Sequence, residues 1–134
     1  MRLAVWQERR WTATIRRMPP TVLIVDDHPS FRVTARALLE AEGFEIVGVA
    51  EDGASAIESA RRLRPEIVLL DVQLPDIDGF GVAEALTSNG SSPAVVLTSS
   101  RDESEFGALV ERSGACGFIP KAELSGAALA ALLA

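Results

Sequence analysis

Four apolar residues in succession, Val22, Leu23, Ile24 and Val25, run directly into two adjacent carboxylates, Asp26 and Asp27. A run without polar alternation leaves neither side wet, which predicts a strand buried on both faces. Comparable runs recur at Phe44 to Ala50, Ile67 to Leu70, Ala94 to Leu97 and Cys116 to Ile119. Between them the apolar positions change to helical spacing. Phe31, Ala35, Leu38 and Leu39 form one stripe of a helix entered at Ser30 and ended by Gly43. Ala56, Ile57, Ala60 and Leu63 form a second stripe, from Asp52 or Ser55 to Arg64, stopped by Pro65. A turn-rich segment, VQLPDIDGF, leads into a third helix from about Gly79 to Ser88. Asp102, with Glu105 three residues on, predicts a capping box for a fourth helix to Ser113 with Phe106, Leu109 and Val110 inward. A last helix is expected from about Leu124.

Five successive strand–helix units predict a doubly wound α/β fold, a parallel sheet with helices on both faces. Such sheets bind ligands outside the carboxyl ends of their strands. Asp26 and Asp27 stand there on the first strand, Asp71 on the third, Thr98 on the fourth and Lys121 just after the fifth. Each has an ordinary explanation as a turn former, helix-entry residue or solvated lysine. Together they place three acids, a hydroxyl and an ammonium on one rim. Adjacent carboxylates there raise each other's pKa unless positive charge is supplied.

Charge refines this picture. The 134 residues are 48% hydrophobic and 24% charged, which fits a globular domain and argues against disorder. The formal net charge of −6 argues against a phosphate-binding surface for nucleic acid. Residues 1–18 carry five arginines and one glutamate, while the rest carries eight basic and eighteen acidic side chains. That basic segment, with Trp6 and Trp11, shows no helical or strand period and no signal-peptide core, and is expected to be a disordered extension ahead of a domain at 19–134. No apolar run reaches transmembrane length, and the single Cys116 cannot form an internal disulfide, which fits a cytoplasmic location.

Four segments, VLIVDDHPSFR, IVLLDVQLPDIDGFGV, VVLTSSRDE and GACGFIPK, resemble in order and spacing the signature segments of response-regulator receiver domains, the phospho-accepting modules of two-component signalling. The likeness covers residues 20–134 and is greatest to receivers that precede a helix-turn-helix output domain. Such an output domain is not found in these 134 residues, so the expectation is a stand-alone receiver. The resemblance implies a flavodoxin-like (βα)5 three-layer sandwich with sheet order 2-1-3-4-5.

It also implies chemistry. Asp71 would be the phosphoacceptor nucleophile, since a carboxylate can form an acyl phosphate that is readily hydrolysed. A Mg²⁺ ion would be held by Asp27, Asp71 and the backbone carbonyl of Gln73, with Asp26 acting through water. Lys121 would pair with phosphoryl oxygens and the Thr98 hydroxyl would hydrogen-bond them. Thr98 and Phe118 would form the switch pair, Phe118 turning inward on phosphorylation. Gln73 and Ser100 would tune hydrolysis, and neither can act as a charged base, so self-dephosphorylation should be slow. The implied partners are a histidine kinase or phosphotransfer protein, with no independent enzymatic turnover, nucleic acid or membrane contact.

Several positions depart from the commonest pattern of the family. Phe118 carries no phenol, and Ala122 follows Lys121 where many receivers have proline, which leaves the geometry of that peptide bond open. His28, the single histidine, belongs to the helix-entry loop rather than to a phosphohistidine site. An aspartate-nucleophile phosphatase would need an acid at position 28, and a flavin carrier would need a Ser/Thr/Gly-rich loop in place of DDHPS. The rival that remains is a receiver that docks partners without phosphorylation. The last helix, LSGAALAALLA, is apolar nearly all round. With Leu124, Ala128 and Leu132 inward, Leu129 and Leu133 are expected to stay exposed, offering the last two helices and strand five to a second copy or an effector protein.

Overall fold

The computed structural model describes residues 19–88 and 93–133. The expectation for the basic extension, residues 1–18, lies outside them. Strands β1 (Thr21–Val25), β2 (Glu45–Ala50), β3 (Ile67–Asp71), β4 (Ala94–Ser99) and β5 (Gly117–Pro120) form one sheet in the order β2-β1-β3-β4-β5. Every pairing is parallel. Helices α1 (Pro29–Ala41), α2 (Gly53–Leu63), α3 (Gly79–Thr87), α4 (Leu109–Arg112) and α5 (Gly126–Leu133) connect or follow the strands. The expected doubly wound fold and its strand order are both present.

The unbroken apolar run of β1 is explained by its place inside the sheet. Val22 and Ile24 pack with Ala35 and Leu39 of α1 and Leu129 of α5. Leu23 and Val25 point the other way, to Ala56 of α2 and Val82 of α3. All four are at most 1% exposed, so each face of β1 is a core. Burial on this scale contributes about 1.5–3 kcal/mol per large aliphatic side chain, which makes β1, like β3 and β4, costly to alter.

Helix boundaries follow local chemistry. Pro29 occupies the first turn of α1, where its missing N–H is no loss. The cap residue is His28 rather than Ser30, and its side chain makes no cap bond. At α2 the Asp52 carboxylate accepts from the Ser55 N–H at 2.8 Å, and at α3 Asp78 accepts from the Gly81 N–H at 2.8 Å. Arg64, forced out of the right-handed region by Pro65, closes α2 at φ 49°.

Two expectations near the end of the chain are corrected. The helix expected from Asp102 to Ser113 is a 3₁₀ turn, Glu103–Glu105, followed by the single turn of α4. Gly107 breaks it at φ 54°, a conformation that a continuing helix cannot contain. Asp102 makes no side-chain cap bond, Val110 is buried, and Leu109 is 42% exposed instead of inward. In α5 the phase differs as well. Leu129 is fully buried, not exposed, because Gly126, Leu129, Ala130 and Leu133 form their own i, i+3, i+4, i+7 stripe against the α1 side of the sheet. Leu132 covers Gly117, and the exposed positions are the small Ala127 and Ala131.

Leu129→Ala is therefore expected to cost about 2–5 kcal/mol in urea unfolding, whereas Ala131→Lys should stay within about 0.5 kcal/mol of the parent. Equal midpoints for the two variants would contradict the observed phase of α5.

Candidate functional site

Four of the five strands end at one edge of the sheet and bring their polar termini together. Asp26 follows β1, Asp71 ends β3, Thr98 is its register partner on β4, and Lys121 follows β5. Asp26 and Thr98 are fully buried and Asp71 is 2% exposed. Asp27 is more open, with a third of its side chain accessible.

Lys121 Nζ sits between the two buried acids, 2.7 Å from Asp26 Oδ2 and 3.3 Å from Asp71 Oδ2. The contact to Asp71 is a hydrogen bond; that to Asp26 is an ion pair lacking hydrogen-bond geometry. The other oxygen of each acid faces backbone. Asp71 Oδ1 accepts from the Gln73 N–H at 3.2 Å, and Asp26 Oδ1 accepts from the His28 N–H at 2.8 Å. The His28 ring adds Nδ1 at 2.9 Å from Asp26 Oδ1 and 3.2 Å from Asp27 Oδ1. Burial and the neighbouring charge of Asp26 push the Asp71 carboxyl up to about 6, against the opposing pull of Lys121 and the Gln73 N–H.

Three residues at the site were not singled out for it in the sequence. Phe31, assigned only to a helix stripe, lies under Lys121 Nζ with its ring centroid 4.7 Å away. Arg32 Nη1 donates to the Asp26 carbonyl at 2.7 Å. Asp76, in the loop after β3, accepts from the Gly53 and Ala54 N–H groups at 2.7 and 2.9 Å and so caps α2 from 23 residues away. Those bonds hold its carboxyl below the usual range. Phe31 was legible as an aromatic one turn into α1; the Asp76 contact had no local signal.

The remaining expected residues are distributed differently. Gln73 and Ser100 are exposed at the rim. Phe118 is 7% exposed, packed on Phe106 at 5.7 Å between centroids, and Phe106 in turn meets Phe80 at 5.6 Å. The ring is thus already largely buried in this conformation. No peptide bond among the described residues is cis, that after Lys121 included.

The arrangement suits a cation and an incoming anionic group. Asp26, Asp27, His28 and Asp71 each offer one ligand atom, all within 4.8 Å of one another. Thr98 Oγ1 is buried without a hydrogen-bond partner among the described residues, as are Asp26 Oδ2 and Asp27 Oδ1. Buried polar atoms are rarely left so unless a ligand or water completes them. The three carboxylates of that set fit a hard divalent ion.

The sequence profile of the response regulator receiver domain matches residues 22–133. The chain belongs to that family. It is 41% identical over 102 residues to a putative transcriptional regulator of Pseudomonas aeruginosa, covering 76% of this chain and 49% of the relative. It is 42% identical over 105 residues to a protein-glutamate methylesterase/protein-glutamine glutaminase of Myxococcus xanthus, covering 77% and 30%. The chain thus spans half or less of these relatives' lengths, and the receiver is the part shared with both. Among solved structures, the receiver domain of the putative response regulator NarL from Mycobacterium tuberculosis superposes with a TM-score of 0.76 at 35% identity, over 87% of this chain and 98% of that one. No helix among the described residues of this receiver is long and apolar enough to cross a membrane.

The raised Asp71 pKa has a definite sign. The folded receiver holds that proton more tightly than the unfolded chain, so the metal-free fold is relieved of the cost below pH 4 and carries it fully above pH 6. Asp71→Asn should therefore be more stable to urea than the parent at pH 7.5 without metal, by on the order of 3 kcal/mol, with the gap closing between pH 6 and pH 4. A gap that is constant with pH would refute this origin.

Proposed function

We propose that this receiver takes a phosphoryl group onto Asp71 from a phosphohistidine of a histidine kinase or phosphotransfer protein, and signals through altered protein contacts. An Asp71 oxygen forms the new O–P bond as the donor's N–P bond breaks, with the electron pair leaving on the imidazole nitrogen. The observation that supports this best is Lys121 Nζ at 3.3 Å from Asp71 Oδ2, a cation already placed where phosphoryl oxygens would arrive.

Phosphoryl transfer depends on positioning and charge neutralisation more than on covalent assistance. Lys121 supplies one positive charge, held from below by Phe31 and from the side by Asp26. Thr98 has a buried hydroxyl with no partner to lose, so it can donate to a phosphoryl oxygen without giving up another bond. A Mg²⁺ ion held by Asp27, Asp71 and the Gln73 carbonyl, with Asp26 through water, would offset the charge of the acids and of the transferred group. Gln73 and Ser100, exposed and uncharged, offer no base to an attacking water, which favours a long-lived acyl phosphate. The domain catalyses its own modification and no separate turnover.

The output surface is revised from the expectation. With Leu129 buried, the exposed apolar side chain near β5 is Leu109 of α4, in the segment interrupted at Gly107. A segment built from a 3₁₀ turn and one helical turn needs little energy to repack, as a switch between two arrangements a few kcal/mol apart requires. It borders Phe118 through Phe106, which connects it to the sheet edge.

With a small acyl phosphate donor and Mg²⁺, a single phosphoryl mass increment should appear in the parent and vanish in Asp71→Asn, and Lys121→Met should slow its appearance at least about tenfold. A persistent increment in Asp71→Asn would move the acceptor elsewhere. No increment in the parent would favour the phosphorylation-independent docking module. Beryllium trifluoride with Mg²⁺ should raise self-association in sedimentation, and Leu109→Glu should reverse this while leaving the melting temperature nearly unchanged. Identical monomers with and without the mimic would remove the second copy as the partner.

A further inference from the structure

The histidine of the β1–α1 loop is held against the acids, and although it stands at the cap position of α1 its side chain makes no cap bond. Its own N–H is bonded to Asp26 Oδ1 at 2.8 Å, and Pro29 restricts the backbone that follows. Both constraints aim the ring inward, although 62% of the side chain remains accessible. Nδ1 then stands 2.9 Å from Asp26 Oδ1 and 3.2 Å from Asp27 Oδ1. In an octahedral site with bonds of about 2.1 Å, adjacent ligand atoms are about 3.0 Å apart and opposite ones about 4.2 Å. The imidazole nitrogen therefore stands beside Asp27 Oδ1 at the spacing of a neighbouring ligand, and the four-atom cluster, within 4.8 Å, needs only a slight contraction to close on one ion. Asp27 Oδ1, a buried oxygen of the same cluster with no hydrogen-bond partner among the described residues, points to a ligand there.

We propose that His28 completes the carboxylate cluster as a nitrogen ligand for Mn²⁺, Co²⁺ or Ni²⁺, while Mg²⁺ is held through oxygens alone. The inference rests on the metal site proposed above and specifies its ion preference. Mg²⁺ is hard and keeps oxygen ligands, whereas imidazole suits the later divalent ions increasingly from Mn²⁺ to Ni²⁺. Holding such an ion would require the Nδ1 lone pair to face it, with the ring proton on the outward Nε2 and the 2.9 Å contact of Nδ1 with Asp26 Oδ1 given up.

The chain contains one histidine, so a metal-bound imidazole has one source. The untagged full chain would be loaded with Mn²⁺ and examined by pulsed electron paramagnetic resonance, alongside calorimetric titrations with Ni²⁺ and Mg²⁺. The expected result is the strong nitrogen coupling of a directly bound imidazole, absent in His28→Ala. The same variant should weaken Ni²⁺ binding about tenfold or more and change Mg²⁺ binding less than about twofold. Mn²⁺ that is displaced by Mg²⁺ yet shows no bound nitrogen would overturn the assignment of His28 alone. Mn²⁺ that does not bind, or binds equally in Asp27→Ala, would overturn the metal site as well.

Discussion

A single ammonium, Lys121 Nζ, lies within 3.3 Å of two buried carboxylates, and the carboxyl edge of the sheet is organised around that contact. Asp26 and Asp71 come from adjacent strands, each buried on both faces, so neither can move away from the other without unmaking the core. Their repulsion is a consequence of the fold, and Lys121 offsets only part of it. Phe31 beneath the ammonium and the Gln73 and His28 N–H groups on the opposite oxygens fix the remaining directions.

The residual cost is visible in Asp71, whose carboxyl is pushed up to about 6 despite two favourable partners. A site organised this way is less stable without a ligand than with one, because any cation that binds the folded state alone adds stability by mass action. The same imbalance that weakens the metal-free fold would favour binding of a cation there. The loop carrying Gln73 is kept in place by Asp76, whose carboxylate satisfies the first N–H groups of α2. The loop after Asp71 is thus tied to the start of α2 rather than left to its own hydrogen bonds.

Away from that edge the fold is unevenly secured. Strand β3 is buried throughout and β1 from Val22 on, whereas the β4–β5 crossover contains a 3₁₀ turn, a glycine at positive φ and one turn of helix. Segments with few buried apolar contacts open and repack at low cost. Leu109 is exposed there and Phe106 touches the buried Phe118, so the least secured part of the domain is also in contact with its core.

The sequence by itself determined the doubly wound fold, since unbroken apolar runs alternating with helical stripes have few other solutions. It also placed Asp26, Asp27, Asp71, Thr98 and Lys121 on one edge, because strand ends in a parallel sheet share a direction. What only the tertiary structure decided were matters of phase and distance. In α5 both apolar stripes pack on the α1 side of the sheet, Leu129 fully buried and Leu124, Ala128 and Leu132 half-buried, an order that their common hydrophobicity could not reveal. A capping box was written at Asp102 and Glu105, yet Gly107 interrupted the helix they would have opened. Asp76 reached α2, and the His28 ring turned toward Asp26 and Asp27, through contacts set by chain crossings and a proline-restricted loop. Periodicity reports which residues share a face; it carries no information about which neighbour that face will meet.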